Sequence, residues 1–182
     1  MKFHPTPLTT AKLIELTPFE DERGSFARTF CQREFEDAGL PTEWVQQNVS
    51  RSRDKGSIRG MHFQKAPYTE DKLVRCLKGR ILDVIIDLRA DSPTYLRHHG
   101  FELTEDSGTQ LFVPQGFAHG FQALTDDVIV TYLVTNFYTP EAERGVRHDD
   151  PVFAIEWPEQ VTTVSEKDSK WPLQELDCPV RV

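Results

Sequence analysis

The sequence predicts an all-β protein, a double-sheet jelly roll with a few short helices. Three observations point there. About ten short runs are rich in β-branched or aromatic residues and are bounded by Gly, Pro, Asp or Ser. Helical signals are confined to three places, and there is no internal repeat or low-complexity segment. The chain of 182 residues, 38% hydrophobic, is long enough for one well-cored domain and short for two, so a single domain over 1–182 is expected. In order, the strand-like runs are "AKLIELTPF" (11–19), "GSFARTF" (24–30), "EWVQQNVSRS" (43–52), "SIRGMHFQ" (57–64) and "KLVRCL" (72–77). They continue with "RILDVIIDLR" (80–89), "HHGFELT" (98–104), "TQLFVP" (109–114), "HGFQAL" (119–124) and "VIVTYLVTNFY" (128–138). "LKGR" and "LTDDV" read as hairpin connections, which makes the pairing mostly antiparallel. The helical stretches are "CQREFEDAG", "PEAERG" and the tail "SEKDSKWPLQEL". So many short antiparallel strands leave many edges, and a double-sheet jelly roll covers them.

Bulk properties exclude several functions. A formal net charge of −8 is wrong for general nucleic-acid binding, which needs a basic surface to displace counterions, but it allows a local basic pocket for one small anion. No apolar run approaches the roughly 20 residues that span a bilayer, and no apolar segment follows a basic start, so a soluble protein without a membrane partner is expected. Cys31, Cys76 and Cys178 are odd in number and widely spaced, which disfavours a disulfide framework and a zinc site and fits the cytoplasm.

The chemistry-bearing residues fall in two places. "RGMHFQ" puts Arg59, His62 and Gln64 into one strand, with Glu70 and Lys72 shortly after. "VPQGFAHGF" places His119 just beyond a Pro-x-Gly turn. A histidine early in one strand and another after a Pro-x-Gly turn are features of cupin-type jelly rolls. The metal-binding members carry a further histidine two residues beyond the first, because a divalent metal wants three or four converging ligands. Here that position is Gln64, which leaves His62, Glu70 and His119 at best, so no metal and no cofactor is expected.

Over about residues 13–171 the chain resembles the dTDP-4-dehydrorhamnose 3,5-epimerase family of nucleotide-sugar epimerases, cupin-fold proteins that use no metal. The likeness is carried by "DERGSF", "VQQNVSRS", "IRGMHFQ", "DKLVRCLKGRILDVIIDLR", "SPT", "LFVPQGFAHGF", "YLVTNFYTPEAERGV", "DDP", "IEWP" and "SEKD", in the family's order. The resemblance implies a homodimer acting on a 4-keto-6-deoxy-hexose carried by a nucleoside diphosphate. It implies that His62 is the base, oriented by Asp168, that Lys72 stands near the keto oxygen, and that Tyr132 returns a proton from the other face. Inversion beside a ketone needs such a base, a stabiliser of the enolate oxygen and an opposed acid. The resemblance also places Arg59 on the diphosphate, Arg23 in the pocket of the partner subunit, Phe26, Gln46 and Asn48 around the nucleotide, and Tyr138 at the pocket's flank. Asp83 and His119 match a second acid and histidine that support the base.

Each residue also has a plainer reading. Ser165 three residues before Asp168 is close to a capping box, a use that competes for the same carboxylate. Tyr132 and Tyr138 fit core packing, Lys72 a solvated strand end, and Asp83 with His119 a buried hydrogen-bonded pair. The chain departs from the family's pattern at Arg28, where Glu is usual, and at Glu70, where Gln is usual. His148 stands for a Trp and Leu133 for a Lys. Arg28 and Glu70 fall near nucleotide and sugar positions, which leaves a single-centre epimerase or a cytidine-linked substrate as alternatives. A metal-dependent cupin and a silent sugar-binding cupin are the rivals from other classes. Finally, the 11–19 run is expected to be an exposed edge that pairs with a second copy.

Overall fold

The computed structural model describes residues 1–174. The described residues form thirteen strands and two short helices. A six-stranded sheet runs in the order β1 (Lys2–Pro5), β2 (Lys12–Glu15), β10 (Thr109–Val113), β7 (Lys72–Lys78), β12 (Val128–Val134), β5 (Gln46–Ser52). Facing it is a five-stranded sheet in the order β13 (Glu143–Gly145), β6 (Ile58–Gln64), β11 (Phe117–Ala123), β8 (Arg80–Asp87), β9 (His98–Thr104). A small hairpin, β3 (Phe19–Asp21) with β4 (Gly24–Phe26), stands apart. Pairing between these strands is antiparallel throughout. The expected double-sheet jelly roll is the fold, and each of the ten anticipated runs carries a strand.

Strand alternation explains how the layers are filled, since successive side chains point to opposite faces. In β8, Ile81 and Ile85 enter the cluster between the sheets, while Val84 and Ile86 enter a second cluster beneath Phe153 and Trp157. In β7 and β10, Val74, Cys76, Leu111 and Val113 face the inter-sheet core, and Leu73 and Phe112 face outward. That outer face is covered by α1 (Gln32–Asp37) through Phe35, with Phe30 and Trp44 packed edge-on around it.

Four expectations need correction. "LKGR" and "LTDDV" are not hairpins: β7 and β8 lie in different sheets, as do β11 and β12. A tight turn between two β-runs looks the same in sequence whether the chain doubles back beside itself or crosses to the facing layer. The run at 11–19 is not an edge, because β2 lies between β1 and β10; the four-residue β1 is the edge instead. "PEAERG" forms a turn and then β13 rather than a helix. The tail helix is reduced to α2 (Glu166–Ser169), and the last residues expected to belong to it, with Cys178, lie outside the described residues. No helix among the described residues is long and apolar enough to cross a membrane.

Candidate active site

The alternation that builds the core also aims polar side chains into one end of the inter-sheet space. Lys72 shares the inward register of Val74 and Cys76, and Tyr132 that of Val128 and Val130. Gln46 and Asn48 alternate with the exposed Gln47 and Val49 on β5. On β6, Met61 and Phe63 pack outward, so His62 and Gln64 turn in.

The register of β6 against β11 shifts at this point: His119 faces His62, yet Phe121 faces Arg59. The extra residue sits where two glycines meet. Gly60 has φ +123°, and a Cβ there would lie 2.5 Å from the Cα of Gly120. Only glycine permits that approach. The shift frees Arg59 from strict alternation, and its guanidinium reaches β5, where Nε donates to Ser52 Oγ at 3.1 Å and Nη2 to the Arg51 carbonyl at 2.7 Å.

His62 Nε2 lies 2.6 Å from Asp168 Oδ1. Asp168 is 3% exposed; burial pushes its carboxyl up, but the bond with His62 and its charge, aided by the Gly60 N–H, outweigh burial and hold it below the ordinary carboxylate range. An ionised carboxylate can only accept, so Nε2 carries the proton, and in the neutral ring Nδ1 is left with the lone pair. The two competing uses of Asp168 are reconciled. Ser165 Oγ accepts the backbone N–H of Asp168 at 3.0 Å and caps α2, while the side chain, which a full capping box would turn back to Ser165, goes to His62.

His62 and Lys167 lie on the walls of two adjoining cavities. The larger, about 720 Å³, is basic, with Arg51, Arg53, Arg59 and Lys167 on its walls. The smaller, about 400 Å³, holds Lys72, Glu70, Tyr132, Gln46, Asn48 and Tyr138. Lys72 Nζ is 3.2 Å from Glu70 Oε1 and donates to the His62 carbonyl at 3.4 Å, so it is no solvated strand end. Burial first, and then the charge of Glu70, push the Tyr132 phenol up, which keeps it protonated. Tyr138 is a rim residue, 55% exposed, rather than a core one. Its hydroxyl donates to Glu143 at 2.8 Å and its N–H to Gln46 Oε1 at 2.8 Å.

Several expected residues stand elsewhere. His119 and Asp83 are a buried pair, Nε2 to Oδ2 3.0 Å, behind the cavity walls. Arg23 and Phe26 project on the β3–β4 hairpin, with Arg23 paired to Asp21 at 2.6 Å and Phe26 71% exposed. Arg28 is paired to Glu34 of α1 at 3.2 Å and touches neither cavity. His62, Glu70 and His119 do not converge as metal ligands, being engaged by Asp168, Lys72 and Asp83 respectively. Among the wall residues that escaped the sequence reading are Arg51 and Arg53 in the larger cavity, with Glu143 and Lys167. Glu143 accepts from Lys167 Nζ at 2.7 Å as well as from Tyr138; in the sequence Glu143 lay in "PEAERG", read as helical, and Lys167 in "SEKD", where Asp168 alone was singled out.

Against this geometry, the family model described as dTDP-4-dehydrorhamnose 3,5-epimerase matches residues 5–175. The chain belongs to the dTDP-4-dehydrorhamnose 3,5-epimerase family. A member from Sinorhizobium fredii is 43% identical over 173 residues, 94% of this chain and 89% of the relative. The crystal structure of the Bacillus anthracis dTDP-4-dehydrorhamnose 3,5-epimerase, with TDP and PPi bound, superposes with a TM-score of 0.92 at 43% identity, covering 95% of this chain and 99% of that one. A Legionella pneumophila epimerase in complex with dTDP-4-keto-L-rhamnose gives a TM-score of 0.87 at 38% identity, over 92% and 89% of the two chains. As a member of this epimerase family, the protein is an isomerase.

Proposed function

We propose that the protein inverts carbons 3 and 5 of dTDP-4-dehydro-6-deoxy-glucose to give dTDP-4-dehydrorhamnose in deoxysugar biosynthesis, acting as a single jelly-roll domain. The observation that carries this reading is the 2.6 Å His62–Asp168 pair at the wall of a cavity that also holds Lys72 and Tyr132.

The hydrogens on carbons 3 and 5 flank the 4-ketone and are weakly acidic. His62 removes one through its free ring nitrogen, and the Asp168 carboxylate stabilises the imidazolium that forms. Lys72 faces the keto oxygen as it gains enolate charge, in a site where a fixed cation needs no reorganisation. Tyr132, kept protonated by its burial, returns a proton to the opposite face, and the opposition of base and acid inverts the carbon. Arg59 and Lys167 bind the diphosphate in the larger cavity, with Gln46, Asn48 and Tyr138 at the other side of His62. In a homodimer the exposed β3–β4 hairpin would bring Arg23 and Phe26 to the partner subunit's pocket; a stable monomer in sedimentation at micromolar concentration would remove that part of the proposal.

The test is incubation in deuterated water with 4-keto-6-deoxy-glucose carried on dTDP or on CDP, followed by proton NMR. Exchange and inversion at both carbons on dTDP are expected. Exchange at neither carbon on either nucleotide would refute the reading, and stoichiometric metal in the purified protein with metal-dependent turnover would favour a different cupin chemistry.

A further inference from the structure

The smaller cavity sets a carboxylate and an ammonium side by side. Glu70 Oε1 lies 3.2 Å from Lys72 Nζ, with side chains 12% and 9% exposed. Neither group is saturated. Of the three ammonium protons, one goes to Glu70 and a second to the His62 carbonyl at 3.4 Å, which leaves one for a ligand. The other Glu70 oxygen lies 3.2 Å from Gln64 Nε2, which shares its two protons with the carbonyls of Tyr68 and Phe137 as well, so at least two of the roughly four lone-pair positions on the carboxylate remain open. Both residues lie on the cavity wall with His62 and Tyr132.

The carboxylate is also fixed in place. Gln64 cannot swing away, because its amide donates to the carbonyls of Tyr68 at 3.0 Å and Phe137 at 3.1 Å and accepts the Thr139 N–H at 2.6 Å. Glu70 is therefore held between a rigid amide donor on one side and the lysine on the other. A glutamine at this position, usual in the family, would keep an acceptor oxygen for a ligand, whereas a side chain without a polar atom would not.

A donor beside an acceptor complements a carbonyl oxygen beside a hydroxyl. The two oxygens of an α-hydroxy ketone lie close together, near the hydrogen-bond spacing of about 2.8 Å, and the 4-keto-6-deoxy-hexose carries this pair on carbons 3 and 4. Resting on the epimerase reading above, we infer that Glu70 is a specificity-determining residue that accepts the proton of the sugar's 3-hydroxyl while Lys72 donates to the 4-keto oxygen. A sugar with hydrogen in place of that hydroxyl strips water from the carboxylate and returns nothing, and sites built to bond a hydroxyl reject analogues that lack it.

Two substrates test this: the nucleoside-diphosphate 4-keto-6-deoxy-hexose and its 3-deoxy analogue, which share carbon 5. Deuterium exchange at carbon 5 is measured by NMR for the wild type, Glu70→Met and Glu70→Asp, with circular dichroism to confirm folding. The wild type is expected to favour the hydroxylated sugar at least tenfold in kcat/KM. Glu70→Met should narrow the ratio to below about threefold, mainly through lost rate on the hydroxylated sugar, and Glu70→Asp, with its charge drawn back by one methylene, should fall between. An unchanged ratio in Glu70→Met, or equal losses on both sugars, overturns the inference. If Glu70→Met does not fold, Glu70→Asp carries the same comparison, and an unchanged ratio there overturns it. A wild type that epimerises the hydroxylated sugar without preference overturns the inference and leaves the epimerase reading standing; one that exchanges neither sugar overturns both.

Discussion

Replacing Asp168 by asparagine isolates the charge behind His62 from the shape around it. The substitution keeps the side chain's size and leaves the Ser165 bond to the backbone N–H untouched, so α2 stays capped. It removes a negative charge held 2.6 Å from His62 Nε2. A charge-assisted hydrogen bond contributes about 1.5–3 kcal/mol, and 1.36 kcal/mol is a factor of ten in rate, so loss of charge alone slows proton abstraction roughly 10- to 150-fold. A second effect compounds this. The Gly60 N–H points at the other carboxylate oxygen from 3.4 Å. An amide that offers its oxygen to Gly60 turns its NH2 toward Nε2, which must then accept, and the ring proton moves to Nδ1, where the basic lone pair is needed. In a serine-hydrolase triad the corresponding change costs about 10⁴ in kcat. The expected outcome for Asp168→Asn is a kcat lowered about 10²- to 10⁴-fold with KM changed by less than about threefold, since the cationic cavity is unaltered. Deuterium uptake at carbons 3 and 5 reports the rate, and titration calorimetry with dTDP reports binding. A variant that binds dTDP normally and exchanges at more than about half the wild-type rate would refute the argument. The same carboxylate gives a stability signature. Its folded-state pKa is depressed, so its contribution is present above the unfolded value of about 3.9 and is lost as pH falls through the folded one. Denaturation midpoints below about pH 4 should therefore fall less steeply with pH in Asp168→Asn than in the wild type.

His62→Ala should abolish exchange at every ring carbon while dTDP binding, measured by calorimetry, stays within about threefold, because Arg59 and Lys167 remain; uptake at a normal rate would sink the assignment. Tyr132→Phe keeps the ring and loses the hydroxyl, so deuterium should wash into the substrate without the inverted sugar appearing, and normal inversion would move the acid to Tyr138. Gly120→Ala places a Cβ 2.6 Å from the Arg59 carbonyl oxygen, a backbone clash that no rotamer relieves. A loss of roughly 3 kcal/mol is expected, which for a chain of this size lowers Tm by about 6–12 °C in a calorimetric scan.

Much of the fold was legible because the sheets follow period two. β8 read as a strand from "ILDVIID", buried on both faces between two clusters, with turn signals at Gly79 before the run and at Asp91 and Ser92 after it. What the pattern did not carry was the partner of each strand. β7 and β8 are consecutive, antiparallel in sense and joined through one glycine, yet they close opposite layers. The choice rests on long-range pairs such as β10 with β7 and β11 with β8, which leave no local mark. β1 and β13, of four and three residues, are too short for alternation to show, and the missing β1 is what made the 11–19 run look like an edge.

The site shows the same division between local and distant information. Lys72 and Tyr132 share an inward register with apolar neighbours, so polar residues at those positions already stood out from the alternation, whereas His62 shares its register with Gln64. Asp168 did not stand out, because Ser165 offered a complete local account of it. The structure separates what the sequence merged: a cap needs only the backbone N–H of residue 168, whereas the histidine needs only its side chain. The two uses reinforce each other. Ser165 and the helical turn orient the backbone of Asp168, and the Ile58–Val164 bridge with the Ile58 N–H to the Thr163 carbonyl at 2.9 Å ties the segment before that turn to β6, the strand that carries His62. The capping residue is thus a positioning element for the base, and a sequence signal that argued for structure alone turns out to be part of how the catalytic geometry is held.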